Sequence, residues 1–308
     1  ADPDTAIDFM RWKGICLSAS VAGMLAALAL FIVPGLNYGV DFKGGTLFEL
    51  KSKSGPADIG VLREQVGGFG LGTPQIQSFG APDLVLLRLP TQPGGEKEQQ
   101  DAAKKVTEAL KSGFEFRRTE VVGPAVSDEL RQTGVIAVLV SILAIVAYVW
   151  FRFEWQFAAG VVLALFHDVM LTVGIFSILQ LEFDLSVVAA LLTIVGYSVN
   201  DSVVVSDRIR ENLRKYKKMP IVELLNTSIN ETLSRTILTG GTTIAVLLAL
   251  YFFGGEVIKP FTFAMLWGVV VGTYSSIFVA APLLDYLGVK RDWSSQGGAK
   301  VKGPAGSK

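Results

Sequence analysis

LSVVAALLTIVGYSVNDSVVV, residues 185–205, decides the fold, because it is an apolar run long enough to cross a bilayer and it carries one carboxylate, Asp201. An ionised side chain at the centre of a membrane helix costs roughly 2.5–3.5 kcal/mol, so such residues normally face a bundle interior and mark an ion or proton path. One alternative stays open, because the apolar run ends about 8 Å beyond Asp201, within reach of the headgroups. The short aspartate stem and four polar neighbours favour the buried role: Tyr197, Ser198, Asn200 and Ser202.

The composition of the whole chain is typical of an integral membrane protein. Half of the 308 residues are apolar and the mean hydropathy is +0.46. Several runs approach the ~20 residues that cross a bilayer. The sequence therefore predicts six spans, at residues 14–33, 134–151, 156–179, 185–206, 236–253 and 261–287. We expect the first span to be retained, because no small-residue cleavage pattern follows it.

Lysine and arginine residues indicate the orientation of these spans. With the amino terminus inside, the inside segments hold Arg11, Lys13, Arg152, the basic run at 208–218, Arg235, Lys290 and Arg291. The two short outside loops hold only Lys259, so the positive-inside rule predicts that both termini are cytoplasmic. We interpret the run at 208–218 as a topology anchor that contacts lipid headgroups. No basic stripe with interleaved aromatic residues indicates nucleic-acid binding.

A water-soluble domain is predicted between the first two spans, on the outer side. Its pattern gives a strand at 46–53, a helix at 58–67, strands at 75–79 and 84–89, a helix at 96–111 and a strand at 115–122. That order, βαββαβ, predicts a ferredoxin-like α+β fold. The chain thus divides into an arm (1–13), a first membrane helix (14–34), this inserted domain (35–131), a five-helix membrane region (132–290) and a disordered tail (291–308).

The cysteine and histidine content argues against several classes of enzyme. Cys16 and His167 are each the only residue of their kind, so neither an intramolecular disulfide nor a multi-histidine metal centre is expected. No nucleophile lies at a recognisable spacing from a base, and we predict no enzyme activity, no metal and no cofactor. His167 and Asp168 form a second polar pair inside a span. Two interpretations stay open for His167, a hydrogen bond to a neighbouring helix or a share in proton transfer.

Depth along the helices suggests a partner for Asp201. The carboxylate lies roughly 24 Å along its helix from residue 185, and Arg235 enters the fifth span at a comparable depth from the inside. The sequence predicts an ion pair between them, with headgroup anchoring of Arg235 as the alternative. Small residues in the last two spans predict close helix packing: Gly240 and Gly241 in the fifth span, and Gly268 and Gly272 in the sixth.

Four segments together resemble the SecF family of bacterial protein-export membrane subunits, which is related to the resistance-nodulation-division (RND) transporters. They are GVDFKGGTLFEL (39–50), LLTIVGYSVNDSVVVSDRIREN (191–212), NETLSRTILTGGTT (230–243) and GTYSSIFVAAPLL (272–284). The resemblance extends from about residue 8 to residue 292. It implies a six-span half-RND bundle in the bacterial inner membrane, with the inserted ferredoxin-like domain in the periplasm.

The resemblance also implies function and partners. It implies a complex with SecD, acting beside the SecYEG channel and YajC on a translocating unfolded polypeptide, with the proton as coupling ion. Asp201 would be the carboxylate of the proton path and Arg235 its basic partner, with Asp168, Asn200 and Ser198 as further members. Two alternatives remain: a proton-coupled RND-type half-transporter for a small molecule or lipid, and a structural scaffold without ion coupling.

Overall fold

The structure is a computed structural model that describes residues 7–289. The predicted disordered tail, Lys290 and Arg291 lie outside this range. The helices, in chain order, are α1 (Lys13–Ile32), α2 (Val40–Lys43), α3 (Ile59–Gly67), α4 (Glu96–Leu110), α5 (Pro124–Arg152), α6 (Trp155–Leu179), α7 (Leu185–Lys215), α8 (Ile221–Phe253), α9 (Lys259–Ser275) and α10 (Ala281–Tyr286). The strands are β1 (Asn37–Tyr38), β2 (Gly45–Ser52), β3 (Gln75–Phe79), β4 (Ala81–Leu89), β5 (Phe114–Val122) and β6 (Glu182–Phe183). A π-helical turn, Ser276–Ala280, joins α9 to α10.

Six helices in the described residues are long and apolar enough to cross a membrane, which confirms the predicted spans. They are α1, α5, α6, α7, α8 and a last span formed by α9, the π turn and α10. α6, α7 and the last span are half or more buried and form the centre of the bundle, whereas α1, α5 and α8 lie around them. α7 and α8 continue past the apolar runs because Ile209, Leu213 and Leu224 belong to one buried cluster at that end of the bundle.

The inserted domain contains a four-stranded antiparallel sheet in the order β3-β4-β2-β5. This order, with a helix in each of the two crossovers, confirms the predicted ferredoxin-like fold. Alternate residues of β2, Phe48 and Leu50, join Leu62 of α3 and Val106 of α4 in its core. The other face of the sheet packs against α2 through a smaller apolar cluster: Val40, Leu47 and Leu86.

The turn between β3 and β4 is shorter than predicted. Gly80 alone makes it, with a φ of +82°, so β4 starts at Ala81 and Pro82 lies within the strand. Proline is tolerated there because pairing between β4 and β2 begins only at Leu84, so that no ladder bond needs the missing N–H. The oxygen of Pro82 accepts a hydrogen bond from the backbone N–H of Ala57.

The glycine pair in GVDFKGGTLFEL is required by the backbone. Gly44 and Gly45 have φ values of +71° and +117°, where the short helix α2 stops and β2 begins. A Cβ on Gly45 would lie 2.3 Å from the carbonyl oxygen of Leu89, so no side chain fits without moving the sheet. The strand pattern does not predict α2 or the two short strands β1 and β6.

These three short elements attach the inserted domain to the bundle. β1 pairs in parallel with β6, which lies directly before α7. A carboxylate oxygen of Asp41 on α2 accepts a hydrogen bond from the N–H of Leu185 at 3.0 Å, at the first residue of α7. Arg88 on β4 forms an ion pair with Glu182 on β6. The inserted domain therefore contacts the amino-terminal end of the helix that carries Asp201.

Candidate functional site

Asp201 is buried at the meeting point of three spans. Its side chain is on α7 and the residue is 8 % exposed. One carboxylate oxygen accepts a hydrogen bond from the hydroxyl of Thr236 on α8 at 2.8 Å. The other accepts a hydrogen bond from the hydroxyl of Ser276, the first residue of the π turn. A single carboxylate thus holds α7, α8 and the last span together through two hydroxyl donors.

The predicted ion pair between Asp201 and Arg235 is absent from this structure. Arg235 is exposed, and its guanidinium forms no ion pair or hydrogen bond with any of residues 7–289. The reason is helical geometry. Successive residues of an α-helix are about 100° apart, so the helix that directs Thr236 at Asp201 directs Arg235 away from it.

A second polar cluster surrounds Asp168 on α6. One oxygen of its carboxylate lies 2.9 Å from Nδ1 of His167. The other accepts hydrogen bonds from Ser198 at 2.5 Å and from Ser275 at 2.8 Å. All four residues are buried, and the His167 ring stacks on Tyr274 with a centroid distance of 5.9 Å. The Ser198 hydroxyl therefore donates its hydrogen bond to Asp168 and not to Asp201.

The two clusters are neighbours along the same two elements. Ser198 and Asp201 are three residues apart on α7, and so share one face of that helix. Ser275 and Ser276 are consecutive at the start of the π turn, a feature that often marks functional positions. The sequence interpretation misses these two serines and the role of Thr236. The available signal is the run of four hydroxyl side chains at 273–276 in a mostly apolar span. No three His, Cys, Asp or Glu side chains of residues 7–289 are placed to hold a metal ion.

A stripe of polar residues and glycines remains exposed on α7 and α8 at membrane depth. Thr193, Gly196 and Asn200 follow one another at helical spacing on α7. Arg235, Thr239 and Thr242 are exposed on α8. We call these six residues the polar stripe. An arginine and an amide facing lipid are costly, so this surface is suited to contact another protein.

Three of the four predicted packing glycines contact other spans. A Cβ on Gly268 would lie 2.3 Å from Ile194 on α7, and one on Gly272 would lie 3.3 Å from the Cβ of Ser198. A Cβ on Gly240 would lie 3.4 Å from the hydroxyl oxygen of Thr273 and 3.5 Å from that of Tyr197. Gly241 differs, because it is exposed and no atom lies within 4 Å of the position its Cβ would take. Close packing of α9 on α7 brings the serine pair to both carboxylates.

Comparison with protein families gives two matches. The model for the protein export membrane protein SecD/SecF, C-terminal, matches residues 102–290. The model for the SecD/SecF GG motif matches residues 29–55, which include the glycine pair that ends α2.

Relatives match along nearly the whole chain. The protein translocase subunit SecF of Rhodobacter capsulatus is 45 % identical, over 94 % of this chain and 91 % of its own length. SecF of Escherichia coli O157:H7 is 44 % identical, over 92 % of this chain and 89 % of its own. The subunit SecDF of Brucella abortus is 43 % identical. The match covers 93 % of this chain but only 38 % of that longer protein.

Two solved structures share the fold. The crystal structure of SecDF from Thermus thermophilus, described as a translocon-associated membrane protein, superposes with a TM-score of 0.83 at 39 % identity. The match covers 93 % of this chain and 39 % of that one, so the chain spans about two fifths of the SecDF structure. A second structure, of SecDF in a super-membrane-facing form, has a TM-score of 0.68 at the same identity.

Proposed function

The chain belongs to the SecD/SecF family of protein-export membrane proteins, as a homologue of the translocase subunit SecF, and we propose that it uses the proton-motive force to assist polypeptide translocation. In this proposal it acts beside the SecYEG channel in the bacterial inner membrane, with both termini cytoplasmic and the inserted domain in the periplasm. The observation that carries the proposal is Asp201, a carboxylate buried among three spans and held by the hydroxyl groups of Thr236 and Ser276. A small-molecule half-transporter finds no support in the relatives described above, which are named as translocase subunits.

The polar stripe is where we place the SecD half of the complex. SecDF relatives carry both halves in one chain, and this chain matches less than two fifths of one of them. Arg235 needs a carboxylate or carbonyl partner at its depth, and none of residues 7–289 supplies one. A SecD helix that covers the stripe would supply that acceptor across the interface. YajC is a further proposed partner, outside this interface.

Asp201 works in this scheme as a two-state group. When ionised, it accepts from Thr236 and Ser276 and so holds α8 and the last span against α7. When protonated, the carboxyl group becomes a donor itself, and the Ser276 hydroxyl can turn to the carbonyl oxygen of Thr273, 3.0 Å away. One charge moved across about 100 mV is worth about 2.3 kcal/mol, which biases a two-state equilibrium roughly fifty-fold.

In this scheme, movement of α7 is transmitted directly to the inserted domain. The first residue of α7, Leu185, is held by Asp41 of the inserted domain, and β6 before it pairs with β1. A shift or rotation of α7 therefore pulls on the base of the inserted domain. We propose that this domain handles the emerging polypeptide, and that the proton cycle at Asp201 changes its position relative to the membrane.

The test is a release assay in proteoliposomes that contain SecYEG and the complete SecDF complex. We expect Asp201→Asn to abolish the stimulation of substrate release by a proton gradient, while SecD still co-purifies with the variant. Asp207→Asn is the matched control, because Asp207 is on the same helix but half exposed in an ion pair with Arg152. Full stimulation with Asp201→Asn would refute the proposed role of this carboxylate.

A further inference from the structure

His167 is buried with one ring nitrogen unused. The residue is 0 % exposed, and its Nε2 atom has no hydrogen-bond partner. A buried polar atom without a partner normally costs about 1–3 kcal/mol, so its presence needs an explanation. The mechanism proposed for Asp201 does not use it.

The surroundings of Asp168 indicate where the imidazole proton lies. Two hydroxyls, of Ser198 and Ser275, donate to one oxygen of its carboxylate, which leaves the other oxygen to accept the Nδ1–H of His167. Three donors on two oxygens fit an ionised carboxylate. With its proton on Nδ1, neutral His167 presents the lone pair of a buried Nε2, which can take up a second proton.

The groups around His167 would tolerate that second proton. Asp168 on the same helix provides a negative charge at 2.9 Å. Tyr274 of the last span stacks on the ring, and its hydroxyl donates to the carbonyl oxygen of Cys16 on α1 and so points away. α7 contributes the hydroxyl of Ser198 and, three residues on, Asp201. No lysine or arginine forms an ion pair with Asp168 or Asp201 among the described residues.

We propose that His167 is a second proton-binding site, occupied as an imidazolium held by the Asp168 carboxylate, and that its occupancy is coupled to that of Asp201. The proton binding itself stands on the geometry of His167 alone, whereas the coupling rests on the function proposed for Asp201. In this scheme the proton that arrives forms an N–H bond at Nε2, and no other bond is made or broken.

Two neighbouring serines provide the structural part of the coupling. Ser275 donates to Asp168 and Ser276 to Asp201, and each has a second acceptor in its own helix. These acceptors are the carbonyl oxygens of Gly272, 3.1 Å from Ser275, and Thr273, 3.0 Å from Ser276. Each hydroxyl has one proton, so protonation of Asp201 frees the Ser276 hydroxyl to bond to Thr273. A positive charge on His167 draws on the Asp168 carboxylate and weakens its bond from Ser275, which shifts that hydroxyl towards Gly272 at the start of the same π turn. Electrostatics acts in addition, because the negative charge of Asp201 favours a positive charge on His167.

The single histidine of this chain makes a direct test possible. The chain labelled with ¹⁵N-histidine and reconstituted with unlabelled SecD gives one imidazole signal pair in solid-state NMR. We expect Nδ1 protonated and Nε2 bare at pH 9, and both protonated after acidification to pH 5. A proton on Nε2 at pH 9, or an unchanged ring between these two values, would overturn the proposal.

The coupling is tested separately. At pH 6, we expect Asp201→Asn to reduce the imidazolium fraction roughly two-fold or more, and Asp207→Asn to leave it unchanged. The pair Ser275→Ala and Ser276→Ala is expected to weaken the effect of Asp201→Asn on this fraction. If Asp201→Asn leaves the fraction unchanged, the coupling is wrong while proton binding at His167 stands. The release assay with Asp201→Asn decides the proposed function independently of either result.

Discussion

The centre of the membrane bundle combines apolar packing with buried ionisable side chains, whereas the core of the inserted domain is built around an apolar cluster. The domain core consists of apolar residues such as Phe48, Leu62 and Val106. The bundle centre holds two carboxylates, a histidine and several hydroxyls, all buried. Apolar packing is the stronger source of stability in water, whereas hydrogen bonds between membrane helices contribute only ~0.6 kcal/mol on average. The polar groups of the bundle are therefore better explained by function than by stability.

This comparison predicts where substitutions damage folding and where they damage transport. In the inserted domain, loss of a side chain leaves a cavity and lowers the free energy of unfolding. In the bundle, loss of a hydroxyl removes a hydrogen-bond partner of Asp201 or Asp168 but leaves most of the apolar packing intact. A variant of one region that behaved like a variant of the other would break the comparison.

The largest effect is expected from Phe48→Ala. Phe48 is fully buried in the domain core, and such a truncation costs about 3–5 kcal/mol. Hydrogen exchange of the β2 and β4 peptides in the full chain would measure this loss as faster exchange, with the spans unaffected. Val61→Ala is the control, because Val61 is on α3 but 60 % exposed. Equal protection in both variants would contradict an independent apolar core.

Gly45→Ala should have the next largest effect and lower the free energy of unfolding by about 2–3 kcal/mol. The new Cβ would lie 2.3 Å from the carbonyl oxygen of Leu89, and the φ of +117° is unfavourable for alanine. Gly55→Ala separates these two causes, since Gly55 has a φ of +102° but open space around it. We expect Gly55→Ala to cost about 1 kcal/mol in the same exchange measurement. A similar cost for both variants would mean that close packing at Gly45 contributes nothing.

The sequence predicts the fold well because both of its parts have regular patterns. Apolar runs of bilayer length predict the six spans, and strand and helix segments in the order βαββαβ predict the ferredoxin-like domain. The short elements that join these parts have no such signal. β1 and β6 are two residues each, and α2 is held by contacts between distant segments, such as Asp41 with Leu185.

The candidate site could be predicted only in part. A carboxylate in an apolar run identifies Asp201 and Asp168, because the sequence neighbours alone place both residues at membrane depth. Its partners depend on helix rotation and on a π turn. Depth along the helices predicts Arg235 as the partner of Asp201. The observed rotation of α8 places the next residue, Thr236, at the carboxylate instead. Arg235 instead lies on the exposed polar stripe, where we propose the contact with SecD.

Thr236→Val should separate function from stability in the bundle. It removes one of the two hydroxyls at Asp201 while keeping the side-chain volume, so we expect a stability loss of about 1 kcal/mol and a large loss of gradient-stimulated release. Thermal unfolding in detergent and the proteoliposome assay would measure the two effects. The control is Thr232→Val, because Thr232 is on the same helix and its hydroxyl bonds to carbonyl oxygens of that helix, those of Ser228 and Ile229. Unfolding of the Thr236 variant without a specific transport defect would indicate a structural role for the pair.

The smallest effect concerns Glu182, where the two regions meet. Burial raises the pKa of Glu182, and Asp184 adds to this, while the Arg88 guanidinium lowers the pKa without cancelling the shift. Since the folded junction binds the proton more tightly than the unfolded chain, this contribution to stability is full below the ordinary value of 4.5. It is lost as the pH rises through the raised pKa of the folded state.

Glu182→Gln should remove this dependence on pH. We expect the Tm of the unsubstituted chain to rise relative to that of the Gln variant as the pH falls from 8 to 4, by about 2 °C or less. Glu64→Gln, at an exposed position of α3, should show no such trend. The opposite slope would mean that the ion pair with Arg88 outweighs the burial of Glu182. Acid would then loosen the junction, whereas burial as the dominant cause means that acid tightens it.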